Sequence, residues 1–527
     1  MGSKAAIVFA LAVIAAAFGF LRELATAAVF ATSPEGDAFA LLLLYVEGVW
    51  SVMTYGIAAQ VVVPLIVRLD SGGEAAGRNA LSALMLWTLL IGAPLVGLCV
   101  FFPEWVAAHL APRFTAAQTQ ALLPAIVLGG PSCVLLAVAG VMSGALRARA
   151  AFYAPVVGRA AFSAIIAALI AGFGHAYGTW AAGTGVLLGA IVLCGLQWVR
   201  LSALGWRWSM PRLGAPEVRG VFASAWPVLA ALTSTHIILL GAQRAIASDL
   251  PVGAFATTSY AQRLLSLASL VTMSVYAVAA TDFSREFHGG GLAALRDRAL
   301  GHLKTLCFVL VPATVLMIVL SRLLVDWSFN RGAYPPSAVR DAGLALSVFA
   351  LSLVPGAIAS LLHLVFSSAH QPRLVLSTSL TFVAATLVLT AALKSALGGL
   401  VLAAAFSAGA TVMSVACLAV FARMDGVAAV GALMRYLSAA AVRAAVAAAA
   451  GGAAAYLQCG CGNFAAWFVG AAAPVPTLVG AGVFTAVFLI ASSVSRDEGW
   501  TRLIGSFTRL RGQVAAIILP PSSEGTV

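Results

Sequence analysis

"GFLRELATAAVFATSPEGDAFALLL", Gly19 to Leu43, sets Arg22 beside Glu23 inside an otherwise apolar run, with Asp37 following shortly after. A charge near the centre of a bilayer costs at least about 2.5–3.5 kcal/mol on insertion scales. Such residues must therefore be compensated by partners or used for a task. The rest of the chain says that this run is meant for lipid. Hydrophobic residues make up 62% of the 527 and charged residues 9%, and the mean hydropathy is +1.02. A soluble domain is usually about 45–50% apolar and about 25% charged. The composition is that of an all-α polytopic membrane protein.

Spans of about 20 apolar residues, read between charges and Gly/Pro clusters, number fourteen. They fall near 5–31, 36–67, 79–102, 120–145, 152–173, 179–203, 218–246, 252–282, 300–324, 338–368, 372–393, 396–422, 434–457 and 470–494. The first span has a basic start and small residues near Ala15 to Ala17, as a signal peptide would, but its apolar pattern runs past Arg22 to Phe30. It is expected to be retained.

Orientation follows from the loop cations. With the N-terminus cytoplasmic, the inner loops and tails carry 20 Lys and Arg. The outer loops carry four: Arg113, Arg331, Arg340 and Lys394. Both termini are then cytoplasmic. The net charge of +12 is accounted for by topology, which argues against a nucleic-acid partner and suits anionic lipids of the inner leaflet.

Six of the 30 cations fall inside spans: Arg22, Arg159, Arg244, Arg263, Arg322 and Arg443. Arg159, Arg322 and Arg443 lie within about two turns of a span end and are expected to snorkel to headgroups. Arg22 and Arg263 have no such escape, and Arg244 is intermediate. Glu47 lies inside the second span, where it can reach the same place as Arg22.

A weak repeat links the two halves. Arg22 to Leu43 and Arg244 to Leu264 ("RAIASDLPVGAFATTSYAQRL") each run from an arginine through a Pro/Gly link to "GDAF" or "GAF". The expected organisation is two six-helix lobes, 1–215 and 216–425, related by a pseudo-two-fold along the membrane normal. Two extra helices (426–495) and a cytoplasmic tail (496–527) follow.

Several segments resemble one family together. They are the opening stretch, "YGIAAQVVVPLI" (Tyr55–Ile66), "SYAQRLLSLASLVTMSVYAVAATDFSREF" (Ser259–Phe287), "FNRGAY" (Phe329–Tyr334) and "FSSAHQPRLVL" (Phe366–Leu376). In this order and spacing they resemble the MurJ/MviN family of the multidrug/oligosaccharidyl-lipid/polysaccharide exporter superfamily. The resemblance implies a flippase that carries the peptidoglycan precursor lipid II to the outer leaflet of the bacterial inner membrane. It also implies that Arg22, Glu23, Asp37 and Arg263 line a cationic cavity for the diphosphate, with Arg244 a further candidate. Where the family is usually charged, this chain has Ala16, Trp50, Tyr55 and Gln262. A less polar cavity follows, with the Trp50 and Tyr55 rings facing a sugar.

Arginine suits the task because its planar fork binds phosphate bidentately and stays charged. The expected partners are a lipid-linked saccharide and membrane lipids, with a coupling ion as a further candidate, and the expected state is a monomer. No cofactor or metal is expected. Cys99, Cys133, Cys194, Cys307 and Cys417 sit in apolar runs as small hydrophobes, and Cys459 and Cys461 have no further ligands nearby. No Walker A, H-E-x-x-H or G-x-S-x-G pattern occurs, so an enzyme is not expected. The alternatives are a flippase for an O-antigen or exopolysaccharide unit, a small-molecule antiporter of the superfamily, and a non-transporting membrane scaffold.

Overall fold

A computed structural model of the chain describes residues 2–63, 65–66, 74–211, 239–246, 248–330, 332–369, 371–459, 474–495 and 497–501. All regular structure among them is helical. Nine helices are long and apolar enough to cross a membrane, or ten if one bent pair counts as a single span. Most of the expected seventh span, 218–246, lies outside the described residues, as do Arg331 and Cys461.

The chain divides into two compact units. The first comprises Met1–Arg263, Val325–Ala342 and Thr386–Ala405. Its N-terminal part holds α1 (Gly2–Val29) and α2 (Pro34–Ser51), which passes into a π-helical stretch, Val52–Val62. Then come α3 (Glu74–Phe101), α4 (Pro103–Leu110), α5 (Ala116–Ala148), α6 (Tyr153–Tyr177), α7 (Thr179–Ala203) and α8 (Leu239–Ile246). The break expected near Ser33–Gly36 falls between Val29 and Pro34. Ser33 caps α2 by accepting from the Gly36 N–H, and Pro34 occupies the first turn, where its missing N–H costs nothing.

Small residues let these helices close on one another, as membrane helices require in the absence of a hydrophobic drive between them. A methyl at Gly189 of α7 would stand 2.9 Å from the Phe162 ring of α6, and one at Gly140 of α5 would stand 2.5 Å from Met53. The core they enclose includes Phe39, Leu43, Leu136, Phe162, Ile166 and Leu193.

Arg113, in the α4–α5 link, and Lys394 both bond the same oxygen of Asp249, at 2.9 and 2.7 Å. Lys394 lies on α12 (Pro372–Leu397). These links therefore share an exposed ion-pair cluster within the first unit.

The second unit comprises Leu264–Leu324, Gly343–Ala385 and Phe406–Val527. Two spans were expected, near 252–282 and 300–324. The structure has two helical arms there, together α9 (Ala254–Phe329), which meet at Gly291 with φ 66° and ψ −155°. Unbroken, it would be about 110 Å long at about 1.5 Å per residue. Asp282 accepts from Arg298 (2.6 Å) and lies 3.2 Å from the His302 ring nitrogen. A straight helix would hold residues 282 and 298 about 24 Å apart, so the chain folds back at Gly291.

The expected tenth span is bent by 42° between α10 (Pro336–Ala350) and α11 (Leu353–Ser368). Pro355 explains the bend: it has no N–H, and its ring excludes the carbonyl four residues back. The Ser352 hydroxyl bonds the Phe349 carbonyl at 2.6 Å beside the break.

Beyond these lie α13 (Val401–Phe421), α14 (Val427–Cys459) and α15 (Pro474–Val494). Arg443 on α14 was expected to reach the headgroups. It is paired instead with Asp497, whose buried carboxylate also accepts from Tyr436 and from the Gly499 N–H. The expectation failed because it weighed Arg443 alone, without an acid that lies 54 residues away.

Candidate functional site

The ion cluster is built on four helices of the first unit. Arg22 and Glu23 come from α1, Glu47 from α2, Arg159 from α6 and Arg263 from the first turns of α9. α1 packs on α6, which brings Arg22 and Arg159 to the same acid.

Arg22 is nearly sealed, with 2% of its side chain exposed. Its Nη2 donates to Glu23 Oε1 at 2.8 Å and its Nη1 to Glu47 Oε1 at 3.0 Å. Arg263 Nε lies 3.1 Å from Glu23 Oε1, and its Nη2 lies 3.8 Å from Glu47 Oε1. Arg159 Nη2 pairs with Glu47 Oε2. Each carboxylate thus bridges guanidinium groups from different helices.

At about 4 Å a pair of opposite charges is worth about 4 kcal/mol at an effective dielectric of about 20. Desolvation takes back several kcal/mol per ion, so the network is tolerated because it is mutual. Among the described residues, three guanidiniums against two carboxylates leave one positive charge. Exposure rises from Arg22 through Glu47 and Arg159 to Arg263, whose side chain is 32% exposed. The cluster therefore opens on the Arg263 side.

The expectation that Arg159 snorkels is corrected. Its guanidinium sits 5.0 Å from the Phe162 ring centroid and 5.4 Å from that of Trp50, and its Nη1 is buried without a hydrogen-bond partner. Proximity to a span end does not send a cation to the headgroups when an acid from another helix is closer. Trp50, expected to face a sugar, is buried against this guanidinium. Glu47, expected to reach the same place as Arg22, is the hub of the cluster.

Asp37 is engaged elsewhere. Fully buried, it accepts from Gln118 Nε2 at 2.8 Å and from the backbone N–H groups of Gly253 (2.6 Å) and Ala256 (2.8 Å). It satisfies the open N-terminus of α9 from a different helix, where no local side chain does so. Beside it, Tyr260 donates to the Ala31 carbonyl at 3.0 Å. The side chains of Arg244, Tyr55 and Cys459 lie outside the described residues.

The family profile described as "Lipid II flippase MurJ" matches residues 26–473. The chain belongs to the MurJ lipid II flippase family. A probable lipid II flippase MurJ of Rhizobium meliloti (strain 1021) is 25% identical over 359 residues, 64% of each chain. The chain thus spans just under two thirds of the length of that curated relative. Among solved structures, a lipid II flippase MurJ in an inward closed conformation superposes with a TM-score of 0.75, at 16% identity, over 93% of this chain and 99% of that one. An inward-facing multidrug-resistance MATE transporter superposes with 0.66 at 13% identity, over 80% of this chain and 99% of that one. These likenesses establish the MurJ/MATE fold. MurJ family membership and the apolar helices together indicate a multi-pass protein of the bacterial inner membrane.

Proposed function

We propose that the chain moves a polyprenyl-diphosphate-linked saccharide, lipid II foremost, from the inner to the outer leaflet by alternating access. The observation that carries this reading is the surplus positive cluster of Arg22, Arg159 and Arg263 against Glu23 and Glu47 within apolar helices, in a MurJ family chain. A diphosphate head must cross about 30 Å of hydrocarbon. Arginines held by acids can release one partner and accept another without ever standing unpaired. The chain acts as a transporter and carries out no covalent step. The lobes at 1–215 and 216–425, the added helices at 426–495, the tail at 496–527 and the cytoplasmic termini belong to the same proposal.

In this reading Arg22 and Arg263 touch the substrate phosphates, with Arg244 a further contact. Glu23 holds Arg22 and Arg263 between cycles, and Asp37 secures the start of α9 beside them. The test is depletion of the protein in its own host, with lipid II measured by leaflet. Lipid II held in the inner leaflet, and growth rescue of a MurJ-depleted cell by this chain, are expected. Normal lipid II distribution would sink the lipid II reading. Accumulation of a different lipid-linked glycan would reassign the substrate.

A further inference from the structure

We propose that Arg159 is a phosphate ligand for the substrate, and that Glu47 occupies the anion's place while the site is empty. This rests on the function proposed above and names the residue on α6 that the substrate engages.

Three observations carry it. First, among the described residues Arg159 Nη1 is buried with no hydrogen-bond partner, although a guanidinium carries five donors in a fixed fork. A buried donor without an acceptor is costly, so this edge of the fork suits an anion's oxygen. Second, Glu47 is shared. Its Oε1 faces Arg22 and Arg263, and its Oε2 faces Arg159. One carboxylate facing three guanidiniums resembles a bound oxyanion in what it does for them. An incoming diphosphate offers more acceptor oxygens and more charge, and can take Arg159 together with Arg22 and Arg263 as Glu47 releases them.

Third, Phe162 and Trp50 lie about 5 Å from the Arg159 carbon, which fixes the fork's position while leaving its edge for hydrogen bonds. The partly exposed members of the cluster are Glu47, Arg159 and Arg263, so an anion would reach Arg159 and its acid before the sealed Arg22. The ligand class is a lipid-borne diphosphate.

The experiment measures binding of undecaprenyl diphosphate to the purified full chain in detergent. Undecaprenol serves as the tail-only probe and inorganic pyrophosphate as the headgroup-only probe. Arg159→Ala should weaken diphosphate-lipid binding about tenfold or more, and Arg159→Lys by several-fold, because the fork is lost. Glu47→Gln should tighten it several-fold, because a competing carboxylate has gone. Undecaprenol binding should not change.

The opposite signs separate a ligand role from a structural one. If Arg159→Ala does not fold, Arg159→Lys and Glu47→Gln still decide the matter. Unchanged binding in Arg159→Lys and Arg159→Ala, or weaker binding in Glu47→Gln, overturns the proposal. If Arg263→Ala loses binding while the Arg159 variants keep it, the proposal fails and the flippase reading stands. Failure of the unaltered protein to bind the diphosphate lipid removes both. Equal affinity for inorganic pyrophosphate would assign the contact to a free anion and overturn the lipid-borne ligand.

Discussion

The carboxylate of Asp37 accepts a hydrogen bond from the backbone N–H of Gly253 at 2.6 Å, across 216 residues of sequence. With the bond to Ala256, it supplies the acceptor that the first turn of α9 lacks. Hydrogen bonds to a charged group are worth roughly 1.5–3 kcal/mol each. Asp37→Ala should therefore lower stability by about 3 kcal/mol or more, and Asp37→Asn by less, since an amide oxygen can keep one of the bonds. Thermal unfolding of the purified protein in a single detergent measures both. Equal melting temperatures for all three proteins would refute the role of Asp37.

Gly253 itself sits at φ 89°, and a Cβ there would stand 2.7 Å from the Thr32 carbonyl oxygen. Gly253→Ala should destabilise by about 1–3 kcal/mol from backbone strain alone. Gly19 is the control: it lies inside α1 with nothing within 4 Å of an added methyl. Gly19→Ala should be neutral or stabilising by up to about 1 kcal/mol. The comparison again reads melting temperatures.

Arg22 uses Nε, Nη1 and Nη2 on two different acids. A lysine can place a charge there but cannot span both. Arg22→Lys should fold with reduced stability and lose most of its complementation of a MurJ-depleted cell. Arg22→Ala should lose about 3–5 kcal/mol, as expected when one partner of a buried pair is removed. Full activity of Arg22→Lys at matched expression would show that charge alone suffices.

The exposed cluster of Arg113, Lys394 and Asp249 should respond to acid. The hydrogen bond and the charge of Lys394, with the hydrogen bond from Arg113, hold the Asp249 carboxyl below its usual range against its desolvation. Its stabilising contribution is therefore present above the unfolded carboxylate value of about 3.9 and is lost as pH falls through the lower folded value. For exposed pairs this amounts to about 0–1 kcal/mol. The melting-temperature gap between the wild type and Asp249→Asn should be visible at neutral pH and close as the pH falls below the usual carboxylate range. A gap that widens in acid would reverse the assignment.

The distribution of loop cations predicts that a cysteine at Arg113 is labelled from outside intact cells. Cysteines at Arg207 and Arg298 should be labelled only after the membrane is opened. All three positions are exposed in the fold. Labelling of Arg207→Cys in intact cells would invert the topology.

The helical class was legible because lipid demands it of nearly every residue. Arg22 and Glu23 stood out for the same reason, since nothing polar surrounds them in the sequence. Arg159 did not, because its acid lies 112 residues away and closeness to a span end offered a simpler fate. Asp37 was noticed, but two of its partners are backbone N–H groups, which have no signature in sequence, and the third, Gln118, lies 81 residues away. The turn near 291 was legible as polar residues, while its reduction to a single glycine depended on the clasp of Asp282 with Arg298 and His302. A signal was present for Arg159: Glu47 inside a span needed a counter-charge, and Arg159 was one of the six cations inside spans.

Gly291 also has a mechanical consequence. A long, slack linker would let the two arms of α9 swing as independent oars. Here the two arms share a single glycine hinge, and the Asp282–Arg298 pair ties them together beside it. A tilt of one arm is therefore passed to the other across one residue instead of being absorbed by a loose linker.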